Sequence, residues 1–188
     1  MLRTAWISAV LVAVASPAAA KAQDFSPEVA YDFLLRDIPT LAGTIVSGAC
    51  AGLMNGEATL ADDPTLTRLG FIDIPRTGAH AAKSGFVQMA RSHGSHYVSV
   101  GGVSQSLCEV SVVGPQAAEA LKLMRVVAVY EAGLDLEPDP ANSGPRGNGS
   151  VEALKMEYAE GQVMVQLFSG TTNDGTPSAS FLIKIEER

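Results

Sequence analysis

The sequence is poor in the side chains that most often carry chemistry. It has only two cysteines and three histidines among 188 residues, and aromatic residues make up 6% of the chain. No ladder of aromatic side chains is present for stacking against sugars or bases. No glycine-rich phosphate loop with its lysine follows a predicted strand, so nucleotide chemistry is not indicated and no cofactor is expected.

Basic residues are also scarce. The chain has 13 Lys and Arg against 20 Asp and Glu, which gives a formal net charge of −7. No basic patch interrupts this balance. Nucleic acid and anionic membrane surfaces are therefore disfavoured as partners.

Long apolar runs are absent after the first two dozen residues, and the one at the start is short. Arg3 is followed by the apolar run Trp6 to Ala15. A helix that spans a bilayer needs roughly 20 apolar residues, about twice the length of this run. The pattern is typical of a secretory signal peptide rather than of a membrane anchor.

Small residues mark where this leader is removed. Ala18 and Ala20 fit a cut after Ala20, and Ala20 and Ala22 fit a cut after Ala22 equally well. We therefore expect residues 1–22 to be a signal peptide, and the protein to be periplasmic or secreted, without a membrane span in the mature chain. The remaining residues, 23–188, suffice for a single domain with one core.

Helix signals dominate the first part of the mature chain. Ser26 to Glu28 predicts a helix start, which Pro39 ends or kinks. An apolar helical period from Leu41 to Leu53 predicts a second helix, and Asp63-Pro64 opens a short helical turn. Pro115 opens another helix that we expect to reach about Tyr130.

Strand signals occupy the middle and the end of the chain. They cover Phe71 to Ile74, Phe86 to Val113 with turns at His93–Ser95 and Gly101–Gly102, and then 151–158, 163–169 and 178–186. Residues 134–150 hold three prolines and three glycines, which predicts an irregular surface loop. Together the patterns predict a two-layer α+β domain, with helices packed on one face of an antiparallel sheet of about five strands.

The two cysteines lie on faces that both point inward. Cys50 shares the apolar stripe of the second helix with Val46, and Cys108 alternates with Val110 and Val112 on one side of a strand. Because export permits oxidation and the count is even, we expect a Cys50–Cys108 disulfide. The alternatives are two separate buried thiols or a reactive cysteine.

A family resemblance rests on residues of this same region. Cys50 on a helix, the pair Gly70-Phe71 and the strand pattern Cys108-x-Val110 resemble small uncharacterised exported proteins of Gram-negative bacteria. The likeness covers residues 45–112. It implies a periplasmic location and a disulfide, but no activity and no catalytic residue.

The three histidines are the candidates for a metal site. His93 and His96 are close enough in sequence for both rings to reach one ion, and His80 would complete a set of three imidazoles. Against this, the segment from His93 to His96 is typical of a turn. No glutamate-containing helix motif of a metallohydrolase surrounds it.

Two further motifs fail on spacing. Gly102 to Ser106 lacks the second glycine of a nucleophile elbow and has no helix after it. Asp135, Glu137 and Asp139 alternate like a calcium loop, but Pro140 stands where that loop turns on glycine.

Two functions from different classes remain. The leading hypothesis is a non-enzymatic binding or interaction module of the cell envelope, with an envelope protein or a small ligand as partner. The alternative is a hydrolase or metal-dependent enzyme that uses His80, His93 and His96. Convergence of the imidazoles with a carboxylate in one pocket would favour the enzyme.

Overall fold

One antiparallel sheet dominates the structure. A computed structural model describes residues 34, 36–76, 80–131 and 135–187. Within these residues the sheet has nine strands: β1 (Ile72–Asp73), β2 (Val87–His93), β3 (His96–Val103), β4 (Leu107–Val113), β5 (Glu137–Pro138), β6 (Gly144–Arg146), β7 (Gly149–Tyr158), β8 (Gly161–Thr171) and β9 (Pro177–Glu187). The leader predicted for residues 1–22 and the helix start predicted at Ser26 lie outside the described residues.

The sheet order places the last strand in the middle. Neighbours follow the order β1-β2-β3-β4-β9-β8-β7-β5, and β6 also pairs with β7. Strands β1 to β4 form one half and β5 to β8 the other, and β9 hydrogen-bonds to β4 on one side and β8 on the other. The two halves are therefore continuous only through β9.

The helices are short, and two of them continue into a π-helical turn. Helix α1 (Ile38–Ile45) runs through a π-helical turn (Val46–Cys50) into α2 (Ala51–Met54), α3 covers Pro64–Arg68, and α4 (Ala117–Val126) continues as a second π-helical turn (Val127–Glu131). Asp63 caps α3, where its carboxylate accepts from the backbone N–H of Thr65 and Leu66 at 2.8 and 2.9 Å. Capping by Asp with proline in the first turn is what the Asp63-Pro64 pair predicts.

Pro39 was expected to end or kink a helix; the preceding helical residues stop at Arg36, and a new helix begins with Pro39 in its first turn. Asp37 is the N-cap of α1 and accepts a hydrogen bond from the Thr40 hydroxyl at 2.7 Å, while Pro39 lies in the first turn. A proline in the first turn costs no intrahelical hydrogen bond, because the N–H groups there have no partner within the helix.

The core lies between the helices and one face of the sheet. Helix α1 packs against α4, and α4 packs against β8 and β9. On the sheet the buried residues alternate, as in Val98 and Val100 of β3 and Val110 and Val112 of β4. We call this side the helix face. The residues between them, such as Ser99, Glu109 and Ser111, lie on the opposite side, which we call the second face.

The predicted fold class was wrong. The described residues are mostly a nine-stranded antiparallel sheet with a few short helices, not a two-layer α+β domain with about five strands. Much of the difference is in very short strands, because β1 and β5 have two residues each and β6 has three. Segments of that length show too few alternations for a period to be read from the sequence.

The segment predicted as an irregular loop supplies two of these strands. Residues 137–138 and 144–146 pair with β7 at the edge of the sheet, where proline is tolerated because its missing N–H can face away from the ladder. Asp139, which is buried, accepts from the Asn142 side chain at 2.6 Å. The Ser143 hydroxyl accepts from the Ala153 N–H at 2.9 Å. The prolines and glycines therefore shape an ordered edge.

Gly101-Gly102 was expected to break the β-structure and instead lies inside β3. A Cβ on Gly101 would stand 2.6 Å from Cζ of Phe86 on the second face. A Cβ on Gly102 would collide with Leu53 and with the carbonyl oxygen of Leu107 on the helix face. The two glycines are therefore sites of close approach, one on each side of the strand.

Candidate functional site

An apolar pocket of about 460 Å³ opens where the π-helical turns meet β8 and β9. Its floor consists of side chains that are at least nine-tenths buried: Val46, Cys50, Val127, Ala128, Val163 and Phe181. Ile183 and Ile185 of β9 extend the apolar wall. Pockets of 300–1,000 Å³ lined mainly by apolar groups are the usual form of small-molecule sites.

Small side chains at the helix crossing create this space. Residues 47–52 read Ser-Gly-Ala-Cys-Ala-Gly, and Ser47, Cys50 and Ala51 line the pocket from one helix while Ala128 lines it from the other. The two π-helical turns contact each other there. Protein interiors are normally packed as densely as organic crystals. An apolar space of this size is therefore one that the described side chains leave unfilled.

The polar groups of the pocket lie at its mouth. Ser47 and Asn55 are both exposed and are the hydrogen-bonding side chains among the lining residues. No charged residue is among those that line it. The pocket therefore offers an apolar interior with neutral hydrogen-bonding groups where it meets solvent.

The predicted cysteine pair lies under this pocket. Cys50 and Cys108 are joined by a disulfide, with their Cα atoms 5.5 Å apart. Both residues are almost fully buried. The bond fixes the π-helical turn that carries Ser47 and Cys50 to the central strand β4.

The structure does not bring the three histidines together. His93 and His96 face each other at the β2–β3 turn. His80 lies elsewhere, near Lys83 and Lys184, because both lysines act electrostatically on it. Lys184 is paired with Leu107 at the start of β4. Strand β4 runs from there to Val113, next to Tyr97, so about 20 Å of strand separates the two ends at ~3.4 Å per residue.

The ring of His96 already has a structural partner. Its Nε2 accepts from the backbone N–H of Gln116 at 3.3 Å, which links the β2–β3 turn to the start of α4. Burial, with His93 adding to it, lowers the pKa of His96, and burial followed by the two lysines lowers that of His80. Among the described residues no group of three or more His, Cys, Asp or Glu is arranged to hold a metal ion.

The two failed motifs have structural roles. Gly102 to Ser106 forms the end of β3 and the β3–β4 turn, where the backbone N–H of Gln105 donates to the carbonyl of Leu53 at 3.0 Å. Of the three alternating acids, Asp135 and Glu137 are exposed and Asp139 holds the turn after β5. In the part of the chain that the structure describes, neither segment belongs to a group of three or more side chains that could hold a metal ion.

Sequence reasoning placed Val46 and Cys50 on the buried stripe of the second helix and did not identify a pocket. Phe181 and Val163 sit on ordinary inward strand positions, and nothing in their pattern separates a packed position from one that borders a pocket. The sequence does contain one indication of a pocket, the run of six small residues at 47–52. A helix that carries only small side chains cannot fill the space in front of it.

Comparisons with known proteins add no identity. No protein-family model matches the chain, and neither a curated protein nor a solved structure matches it. In the described part of the chain, none of the helices has the length and hydropathy needed to cross a membrane.

Proposed function

We propose that the protein is an exported, non-enzymatic binding protein of the cell envelope, and that its apolar pocket takes a single-chain amphiphile such as a fatty acid. The observation that carries the proposal is the 460 Å³ pocket with its buried apolar floor. The leader pattern at residues 1–22 and the Cys50–Cys108 disulfide support export to an oxidising compartment.

The chemistry of the lining selects the ligand class. A hydrocarbon chain gains about 0.8 kcal/mol for each CH₂ group that it moves from water into apolar surroundings. The floor offers only apolar side chains and the disulfide, so a ligand with polar groups along its length would lose hydrogen bonds to water without replacement. A polar head group can remain at the mouth, near Ser47 and Asn55.

Ala51 gives the sharpest test of the pocket. It lines the pocket but is exposed, so Ala51→Phe adds a ring to the open space without overpacking the buried core. Ala118 is the matched control, since it is also an exposed alanine on a helix and does not line the pocket. Binding is measured by titration with a fluorescent single-chain fatty acid.

We expect saturable binding to the wild-type protein and to Ala118→Phe, and an affinity at least about tenfold lower for Ala51→Phe, equivalent to about 1.4 kcal/mol. Thermal unfolding of both variants checks that they are folded. Absence of saturable binding to the wild type, or equal binding by Ala51→Phe, would overturn the proposal.

A further inference from the structure

A second cavity lies on the second face of the sheet, away from the helices and from the apolar pocket. It has a volume of about 220 Å³ and is lined by Phe86, Gln88, Tyr97, Ser99, Glu109 and Ser111, with Gly101 at its floor. Unlike the apolar pocket, it contains one carboxylate and several hydroxyl groups. We call it the Glu109 cavity.

The strand register explains why these groups converge. Glu109 of β4 is opposite Gly101 of β3, and Ser111 is opposite Ser99. Directly paired residues point to the same side of an antiparallel sheet. Gly101 has no side chain of its own, and the ring of Phe86 lies in front of it on the side of the sheet that carries Glu109.

Two aromatic side chains border this space. Phe86 lies over Gly101, where even a Cβ would be 2.6 Å from its ring. Tyr97 lies two residues before Ser99 on the same face of β3 and is 38% exposed, so it stands at the solvent side. A cationic group is attracted by a carboxylate and also by the face of an aromatic ring, so a site with both favours a cationic ligand.

Glu109 differs from three other carboxylates on the long strands of this sheet. Glu152, Glu157 and Glu186 are more exposed and each is paired with a lysine or arginine. Glu109 forms no ion pair with any described residue. Burial raises the pKa of Glu109, which reflects a carboxylate with too few compensating groups, and the nearby Ser111 hydroxyl acts to lower that pKa.

The neighbouring cation does not fill this role. Lys184 of β9 lies on the same face, diagonal to Glu109, but its ammonium group is bound to Glu186. Tyr97 is the titratable group that faces the cavity from β3, and Gln88 from β2 is uncharged. A carboxylate has about four acceptor positions, and Ser111 is the side chain in the cavity that acts on the carboxylate of Glu109.

We propose that the Glu109 cavity binds the ammonium group of a small aliphatic amine, with Glu109 as the counter-ion and Tyr97 against the hydrocarbon part. The volume limits the ligand to a few carbon atoms, since it is below the 300 Å³ at which drug-sized pockets begin. A divalent metal is disfavoured because the cavity supplies a single carboxylate and no imidazole. The site is independent of the apolar pocket.

The test uses n-butylammonium chloride as the probe and 1-butanol as its neutral counterpart, with the full mature chain at neutral pH. Binding is followed by changes in backbone amide NMR signals. We expect saturable shifts at Ser99, Gly101 and Ser111 with butylammonium and none with 1-butanol.

Glu109→Gln keeps the size of the side chain and removes the charge. A hydrogen bond to a charged group contributes about 1.5–3 kcal/mol, so we expect roughly ten- to hundredfold weaker binding of butylammonium. The control is Glu119→Gln, which removes an exposed carboxylate from α4 and should bind like the wild type. No saturable shifts in the wild type, or shifts that persist in Glu109→Gln, would overturn the proposal.

Discussion

Glu109 combines burial with a charge that nothing in the described chain neutralises. Its pKa is raised above the ordinary value of 4.5, mainly by burial, while the Ser111 hydroxyl acts in the opposite direction. In the unfolded chain the carboxyl group ionises at its ordinary pKa. The unfolded state therefore releases its proton first as the pH rises, and the free energy of unfolding falls until the folded state has ionised too.

This gives a pH-dependent prediction. Glu109→Gln should unfold at a higher temperature than the wild type at neutral pH, and the two should converge well below pH 4.5, where the carboxyl group is protonated in both states. Thermal unfolding in a series of buffers, without amine, measures the difference. A difference that is constant with pH would contradict the assignment, and Glu119→Gln controls for the loss of one carboxylate.

Single residues also show where sequence patterns stop being informative. Two adjacent glycines usually mark a turn, and Gly101-Gly102 was interpreted in that way. The reason for these glycines is that Phe86 and Leu53 approach β3 from opposite sides. Both partners are distant in sequence, so only the tertiary structure shows that the glycines make room for them.

At the scale of elements, local signals were more reliable than the overall architecture. The cap at Asp63, the alternation of β4 and the helix after Pro115 follow from neighbouring residues. The nine-stranded sheet and the Glu109 cavity depend on which strands pair, and period-2 patterns carry no information about partners. The polar residues of the cavity were visible only as ordinary outward strand positions.

The disulfide joins two elements that hydrophobic packing also brings together. The cysteines are 58 residues apart, and closing a loop of that length restricts the unfolded chain by about 4 kcal/mol in the chain-entropy model. Cys50→Ala and Cys108→Ala should therefore lower the melting temperature strongly and by similar amounts. The double variant should be no worse than either single one, because the shared bond is lost only once.

Thermal unfolding of the three variants, beside the wild type with and without reductant, tests this. A wild-type melting temperature that reductant leaves unchanged would contradict a stabilising bond. Unequal single variants would show that one cysteine contributes mainly through packing, since each side chain is also buried in the core.

For the molecule as a whole, we expect two consequences of export to be measurable in its intact mass. The mature chain should begin at Lys21 or Gln23, and reduction should add the mass of two hydrogen atoms, one for each sulfur. Intact-mass measurement of the protein recovered from periplasm or medium checks both. A species that retains residues 1–20, or one whose mass reduction does not change, would contradict the expectation.

Strand β9 lies in the middle of the sheet but is the last of the nine strands along the described chain, so the sheet cannot be completed before β9 has been made. Strands β1 to β4 and β5 to β8 are made first, yet the hydrogen bonds that unite them all belong to residues 177–187. When the chain emerges with its N-terminus first, from a ribosome or through a membrane pore, the two half-sheets keep unpaired edges until residues 177–187 arrive. During that interval β4 and β8 are exposed to pairing with other chains, so the risk of aggregation is greatest just before β9 joins the sheet.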